Sequence, residues 1–310
     1  MSKGLCLLLL LLSTTAFGQY PNNYLFQMVH YETEYFPSIE FISLSPLLPP
    51  EDDTAKRIIK EDYLGYAGFD NYNYHELDPE QRSKLLKQVG FSETDCLYLY
   101  DLEQNVHYKF ELQELKVSAF LNFYSSENDQ PYREYYYHIG LEVPSERLNP
   151  DRSKYSFTLG RIAKRNPFAM DSIRNMQFKI EDCQNYDSSD SLELSIDSTC
   201  ICYRHQNEDF NLVVIDHGKG FYPKQRDMLI SETKSGELIN HRRFRRSEGT
   251  HLSALNVAGR NYSGAQFSGK LLKDQGIILY GFIDLSFGCA PLFFVNDPAN
   301  RLGILCDNRH

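Results

Sequence analysis

The segment from His205 to His217 concentrates groups that could carry acid–base or metal chemistry. His205, Asp216 and His217 are its candidate binding residues, because imidazole and carboxylate are the side chains that bind metals and transfer protons near neutral pH. Their spacing matches neither the HExxH helix nor the paired Cys-x-x-Cys of zinc sites, so no metal is predicted. The chain also lacks a GxSxG nucleophile elbow. The sequence therefore identifies no catalytic residue.

A run of arginines occupies residues 242–246, in a chain whose formal net charge is -10. Arg243, Arg245 and Arg246 are further binding candidates, since a basic cluster on an acidic protein attracts an acidic partner. We expect this run to lie in a solvated loop. The alternative is a basic cleavage site that ends at Arg246 and precedes Ser247.

The residues Asp216-His-Gly218-Lys-Gly220 follow a short apolar run. They resemble the Asp-x-Gly-x-Gly box of Bergerat-fold ATPases, and that resemblance implies an Asp that binds adenine. The sequence has no upstream Asn-bearing helix of the kind that binds magnesium in that family. We therefore interpret the segment as a strand that ends in a glycine turn, and predict no cofactor.

The first 18 residues have the order of a secretory signal peptide. Lys3 precedes a leucine-rich run at residues 5–12, and small residues surround the expected cleavage before Gln19. This predicts export to the periplasm, the cell surface or the extracellular space. We expect no membrane span, because no later apolar run is long enough. The acidity of the chain argues against nucleic acid as a partner.

Six cysteines remain after the expected cleavage, and an even number in an oxidising compartment predicts disulfides. Cys289 and Cys306 are the preferred local pair. Cys200 and Cys202 should point to one face of a strand and take different partners. The disulfide candidates are Cys96, Cys183, Cys200, Cys202, Cys289 and Cys306.

Residues 105–143 are the clearest β region of the chain. From Val106 to Gln113 apolar and polar residues alternate, and from Lys116 to Tyr124 apolar residues lie on both faces. The polar loop 125–131 then leads to a second aromatic-rich segment that ends at Val143. This pattern predicts two antiparallel strands.

Helices are predicted at few places. Asp78 can cap a helix that begins at Pro79 and ends at Gly90. A short helix is expected at residues 52–62, and one or two helical turns at residues 223–231. Strands are expected through most of the remaining chain, including residues 210–215 and the segment from residue 267 to the end.

Together these features predict a mainly β fold of the β-rich α+β type, with antiparallel sheets in a sandwich- or barrel-like arrangement and a few short helices. The polar segment 144–154 carries two prolines and is the candidate boundary between an N-terminal α+β region (residues 19–145) and a C-terminal β-rich region (residues 152–310). The alternative is one continuous domain.

Two hypotheses about function stay open. The first is a non-enzymatic binding or structural module for a protein or small-molecule ligand, since the sequence is rich in strands and aromatic residues but lacks a catalytic signature. The second is an extracytoplasmic hydrolase whose site is assembled from scattered His and carboxylate residues. A cluster of such side chains around His205, Asp216 and His217 would favour the enzyme.

Overall fold

The computed structural model describes residues 24–32, 38–48, 57–59, 74–122, 125, 133–153, 156–170, 172–186, 199–218, 223–259, 265–286, 288–297 and 299–307. The predicted signal peptide and most of the predicted helix at residues 52–62 lie outside these ranges. Within them the protein is mainly β with antiparallel sheets, as predicted, and one of the sheets curves into a half-barrel.

The described residues form one α-helix, α1 (Pro79–Val89), and 21 strands. The strands are β1 (Leu25–Tyr31), β2 (Ile39–Ser43), β3 (His75–Glu76), β4 (Cys96–Asp101), β5 (Val106–Glu111), β6 (Lys116–Leu121), β7 (Tyr137–Val143), β8 (Thr158–Ala163), β9 (Arg174–Asn175), β10 (Lys179–Glu181), β11 (Ile201–Gln206), β12 (Phe210–His217), β13 (Gln225–Glu232), β14 (Leu238–Arg245), β15 (Thr250–Leu252), β16 (Phe267–Lys270), β17 (Ile277–Tyr280), β18 (Ile283–Leu285), β19 (Leu292–Phe294), β20 (Arg301–Leu302) and β21 (Ile304–Leu305). Short 3-10 helices span Ser45–Leu47, Leu112–Glu114, Glu134–Tyr136, Ser145–Arg147 and Cys183–Tyr186.

Three main sheets form the layers of the fold. The large sheet has nine strands in the order β3-β6-β7-β2-β1-β8-β4-β5, with β21 paired to β1. The meander sheet has the order β10-β11-β12-β13-β14, and the small sheet has the order β20-β19-β17-β16-β9. One apolar cluster joins the large sheet to the small sheet, and another joins the small sheet to the inner face of the meander sheet. The small sheet thus lies between the other two.

The predicted pair of antiparallel strands on either side of the polar loop 125–131 is confirmed. β6 and β7 are antiparallel, with Val117 opposite Leu141 and Ala119 opposite Ile139. All of β6 except Lys116 is buried, as expected from apolar residues on both of its faces. Such a strand needs cover on two sides, and this places it inside the fold.

Local signals define α1. The Asp78 side chain accepts a hydrogen bond from the Gln81 backbone N–H, while the Gln81 side chain accepts one from the Asp78 backbone N–H, which completes a capping box. At the other end Gly90 has a positive φ of 75° and stops the helix. The predicted stripe of Leu85, Leu86 and Val89 is buried in the core of the large sheet.

The described part of the candidate boundary, residues 144–153, contacts the large sheet through Arg152. Arg152 Nη1 lies 2.9 Å from Glu40 Oε1, and Arg152 Nε lies 3.4 Å from Asp101 Oδ2. Beyond this segment, β8 pairs with both β1 and β4. The division into two regions stays a prediction, but the large sheet takes strands from both sides of the segment.

Two sequence-based assignments in the meander sheet were wrong. The segment expected to form helical turns is the eight-residue strand β13, and most of the arginine run expected in a loop belongs to β14. The two strands pair with each other, with Asp227 opposite Arg243. Pairing across the sheet supplies the hydrogen bonds of these segments, and this tertiary context overrides weak local propensity. The strand β12 ends at His217 and Gly218 has a φ of 118°, as predicted for a strand that ends at a glycine, while Gly220 lies outside the described residues.

The described residues contain two disulfides. The predicted Cys289–Cys306 bond joins the segments around β19 and β21, and a second bond joins Cys183 to Cys202. The other two candidates in the described chain, Cys96 and Cys200, are thiols.

A buried ion pair holds the inner face of the meander sheet. Arg226 on β13 makes a two-pronged contact with the Asp216 carboxylate on β12, at 2.7 and 2.8 Å. Arg226 also donates to the backbone carbonyls of Ser253 and Phe282, which lie outside the sheet. Four of the five N–H groups of this almost completely buried side chain therefore have an acceptor.

We expect Asp216→Ala to lower the free energy of unfolding by about 3–5 kcal/mol, because the buried Arg226 charge then loses its partner. Urea unfolding followed by far-UV circular dichroism measures this change. The matched control is Lys116→Ala, which removes a pair with Glu76 whose side chains are both more than half exposed, and which should cost less than about 1 kcal/mol. Equal losses in the two variants would contradict the structural role of the buried pair.

Candidate functional site

The outer face of the meander sheet carries a row of polar side chains across four strands. The register places Ile215 opposite Asp227 and His217 opposite Gln225, with Arg243 beside Asp227 on the edge strand. Cys200 precedes β11, which is the neighbour of β12 on the other side. Side chains on one face of neighbouring strands lie within contact distance, so this register assembles groups far apart in the sequence.

Asp227 is the centre of the row, and its carboxylate accepts four hydrogen bonds. His217 Nε2 and Gln225 Nε2 donate to Oδ2 at 2.8 and 2.9 Å. His241 Nε2 and Arg243 Nε donate to Oδ1, both at 2.7 Å. The side chain of Asp227 has no exposed surface, and these donors fill the usual acceptor positions of both oxygens.

His217 connects this carboxylate to a thiol. Its other ring nitrogen, Nδ1, lies 3.2 Å from Cys200 Sγ. Because an ionised carboxylate only accepts hydrogen bonds, the ring proton lies on Nε2, and Nδ1 presents its lone pair to the thiol. The order thiol, imidazole, carboxylate is the arrangement that activates a cysteine nucleophile.

The environment of Asp227 favours its ionised form. Burial alone raises the pKa of this carboxyl group, but the hydrogen bonds from Arg243, His241 and Gln225 and the charge of Arg243 outweigh it. The net effect is a pKa below the usual value of an aspartate. The group that orients His217 is therefore charged at neutral pH.

An apolar patch lies next to the row on the same face of the sheet. Cys202, Val213, Ile215 and Leu229 form a small cluster on the same outer face, against which Cys183, Tyr186 and Cys200 pack. The Tyr186 hydroxyl donates to Glu181 Oε2 at 2.6 Å. Burial and this neighbouring carboxylate raise the pKa of Tyr186 to about 12, so the hydroxyl stays protonated.

The structure separates the residues that the sequence suggested as one site. Asp216 lies on the inner face in its ion pair with Arg226. His205 is also elsewhere, since its Nδ1 lies 2.9 Å from the Gln177 carbonyl oxygen. Of the candidates, His217 and Arg243 meet at Asp227, and the exposed Arg245 lies next to Gln225 on the edge strand. Arg246 follows the strand, and its backbone N–H donates to the Lys224 carbonyl.

Sequence reasoning missed four members of the row. Gln225 and Asp227 lay in the segment expected to be helical, Cys200 was considered only as half of a disulfide, and His241 was not considered. The available signal was the apolar run Met228, Leu229 and Ile230, since a short apolar run is consistent with a buried strand. A strand assignment would have placed Asp227 on the face opposite to Arg226.

Within the described ranges, no three or more His, Cys, Asp or Glu side chains are arranged to hold a metal ion. None of the helices in that part of the chain has the length and apolar character needed to cross a membrane. No protein-family model, curated protein or solved structure matches this chain.

We expect Asp227→Asn to destabilise the protein by about 2 kcal/mol at pH 7, because its four donors lose a charged acceptor. The pKa of Asp227 is lower in the folded than in the unfolded state, so its stabilisation is complete above the unfolded value of about 3.9 and is lost as pH falls through the folded value. The difference in unfolding free energy between wild type and variant should therefore shrink below about pH 4. Urea unfolding at a series of pH values tests this, and a difference independent of pH would contradict it.

Proposed function

We propose that this chain is an exported protein that acts as a cysteine-dependent hydrolase, with Cys200 as nucleophile, His217 as general base and acid, and Asp227 as the residue that orients His217. The observation that carries the proposal is the continuous contact from Cys200 Sγ through both ring nitrogens of His217 to Asp227 Oδ2. Export is supported by the two disulfides and by the signal-like order of the first 18 residues.

The reaction follows from this geometry. The Cys200 thiol gives its proton to His217 Nδ1, and the sulfur attacks the carbonyl carbon of an ester, thioester or amide. A C–S bond forms, the imidazolium returns the proton to the leaving group, and an acyl-cysteine remains. Water then attacks the acyl group with His217 as base, which releases the acid and restores the thiol.

Asp227 supports both proton transfers without changing its own charge. Its negative charge stabilises the imidazolium that forms after the first transfer, and its bond to Nε2 keeps Nδ1 directed at the sulfur. His241, Gln225 and Arg243 hold the carboxylate in turn, so the position of His217 rests on side chains from the two strands β13 and β14.

A non-enzymatic binding module is the second candidate, and the edge position of β14 favours it. This strand pairs with β13 on one side and carries exposed arginines on the outer face of the sheet. An exposed edge with a basic surface suits an acidic partner or an added strand. Binding of such a partner should survive Cys200→Ala, whereas hydrolysis should not.

We expect the mature protein to form a covalent acyl adduct at Cys200 when treated with p-nitrophenyl acetate, seen as a mass increase and located by peptide mass spectrometry. The adduct should be absent in Cys200→Ala, and the acylation rate should fall about 100-fold or more in His217→Ala, because the base is lost. Cys96→Ala is the matched control, since Cys96 is a buried thiol in the large sheet. An acylation rate unchanged by His217→Ala would contradict the proposed function.

A further inference from the structure

Three cysteines lie around one apolar cluster on the outer face of the meander sheet. Cys183 and Cys202 form a disulfide, Cys202 belongs to that cluster, and both Cys183 and Cys200 pack against it. Cys200 and Cys202 are two residues apart at the start of β11, so their side chains point to one side. The thiol of the proposed nucleophile is therefore a neighbour of a disulfide.

The register of β10 and β11, continued beyond the end of the ladder, points to Cys200 as a second neighbour of Cys183. β10 and β11 are antiparallel, with Lys179 opposite Arg204 and Glu181 opposite Cys202. Two further residues in the same register place Cys183 opposite Cys200, although the chain there turns into the 3-10 helix Cys183–Tyr186. The observed partner Cys202 has its Cα 5.2 Å from that of Cys183. Residues directly opposite in a ladder lie at a comparable spacing of about 4.5–5.5 Å.

The thiol in this group has a base beside it. Exchange between a thiol and a disulfide proceeds through attack of the thiolate on one sulfur of the bond. His217 Nδ1, 3.2 Å from Cys200 Sγ, can take the thiol proton and so produce the attacking species. Disulfide, attacking thiol and proton acceptor thus occupy adjacent strands.

We propose that Cys183, Cys200 and Cys202 form a thiol–disulfide exchange site. The Cys200 thiolate attacks Cys183 Sγ, the Cys183–Cys202 bond breaks and a Cys183–Cys200 bond forms. The electron pair of the broken bond leaves on Cys202 as a thiolate, which takes the proton from the His217 imidazolium. One disulfide and one thiol are present before and after, so no oxidant or reductant is consumed.

The exchange changes which sulfur atoms solvent can reach. Cys202 is fully buried, whereas Cys200 and Cys183 are partly exposed. The Cys183–Cys200 form therefore presents its disulfide to small aliphatic thiols, and the Cys183–Cys202 form presents a thiol to small disulfides. This activity uses the thiol of the proposed hydrolase but requires no hydrolysis, and the Cys183–Cys200 form has no nucleophile for acyl transfer.

Disulfide mapping tests the exchange. The wild-type protein is incubated in a glutathione redox buffer at neutral pH, quenched in acid, unfolded, labelled with N-ethylmaleimide at mildly acidic pH and digested without reduction. We expect the label at Cys200 in one fraction of molecules and at Cys202 in the other. Label at Cys200 alone after prolonged incubation would overturn the proposal.

The variant Cys202→Ser tests whether Cys183 can form a disulfide with Cys200. In an oxidising buffer it should form the Cys183–Cys200 disulfide, and both residues should then resist labelling. If both are labelled instead, the geometric basis of the proposal is wrong. The wild-type mapping decides the question independently if this variant does not fold.

The role of His217 is tested by the rate of interchange. His217→Ala should slow the appearance of label at Cys202 by about tenfold or more, because the proton acceptor is lost. His205→Ala is the control, since that histidine contacts the Gln177 carbonyl and not the sulfur atoms, and its rate should stay within about twofold of wild type. Exchange without acylation by p-nitrophenyl acetate would contradict the hydrolase and leave the exchange proposal intact. Acylation of Cys200 without exchange would contradict the exchange site and leave the hydrolase proposal intact.

Discussion

The ion pair between Asp216 and Arg226 fixes the register on which the candidate site depends. Successive residues of a strand point to opposite faces, so a slip of one residue between β12 and β13 would exchange their inner and outer side chains. The pair prevents this slip, because its two-pronged contact exists only when Asp216 lies opposite Arg226 on the inner face. Their chain neighbours His217 and Asp227 are then both on the outer face.

The need to align the two strands also explains why a charged pair lies in an apolar layer. A buried ion pair adds little net stability compared with apolar residues of similar volume, but it is very unfavourable when misaligned. Arg226 also contacts the carbonyls of Ser253 and Phe282, so the register of the meander sheet is coupled to the segments packed on its inner face. We infer that specificity of alignment is the main contribution of this pair. The ion pair on the inner face thus determines the geometry of the row on the outer face.

Features encoded in contiguous residues could be predicted from the sequence. The cap at Asp78, the stop at Gly90 and the two-sided burial of β6 depend on a few neighbouring residues, and all three are present. The Cys289–Cys306 bond closes a short loop and was also predictable. Arg152 shows the limit of such signals, because a polar segment with two prolines gave no indication that its arginine would be buried between two carboxylates of the large sheet.

The candidate site could not be predicted as a whole, because its members come from four strands whose pairing only the fold defines. His217 and Arg243 were named for their side-chain types, while Asp227 and Cys200 become informative only once β11, β12 and β13 lie side by side. His205 and Asp216 were the natural companions of His217 in the sequence, yet Asp216 faces the core. Proximity along a strand is a poor guide to a shared site, since adjacent residues point to opposite faces.

Packing and stability alone do not explain the polar side chains of the outer row. The apolar patch of Cys202, Val213, Ile215 and Leu229 already covers part of this face, and aliphatic residues at positions 217, 227 and 241 would extend it without the cost of burying a carboxylate. Asp227 is instead fully buried with four donors, one of which is a partly exposed imidazole that contacts a thiol. A saturated carboxylate restricts the motion of its donors, and His217 is the donor whose second nitrogen faces a reactive group. The carboxylate that is unfavourable to bury is thus the group that holds His217 against Cys200. Nucleophilic thiol chemistry requires this arrangement.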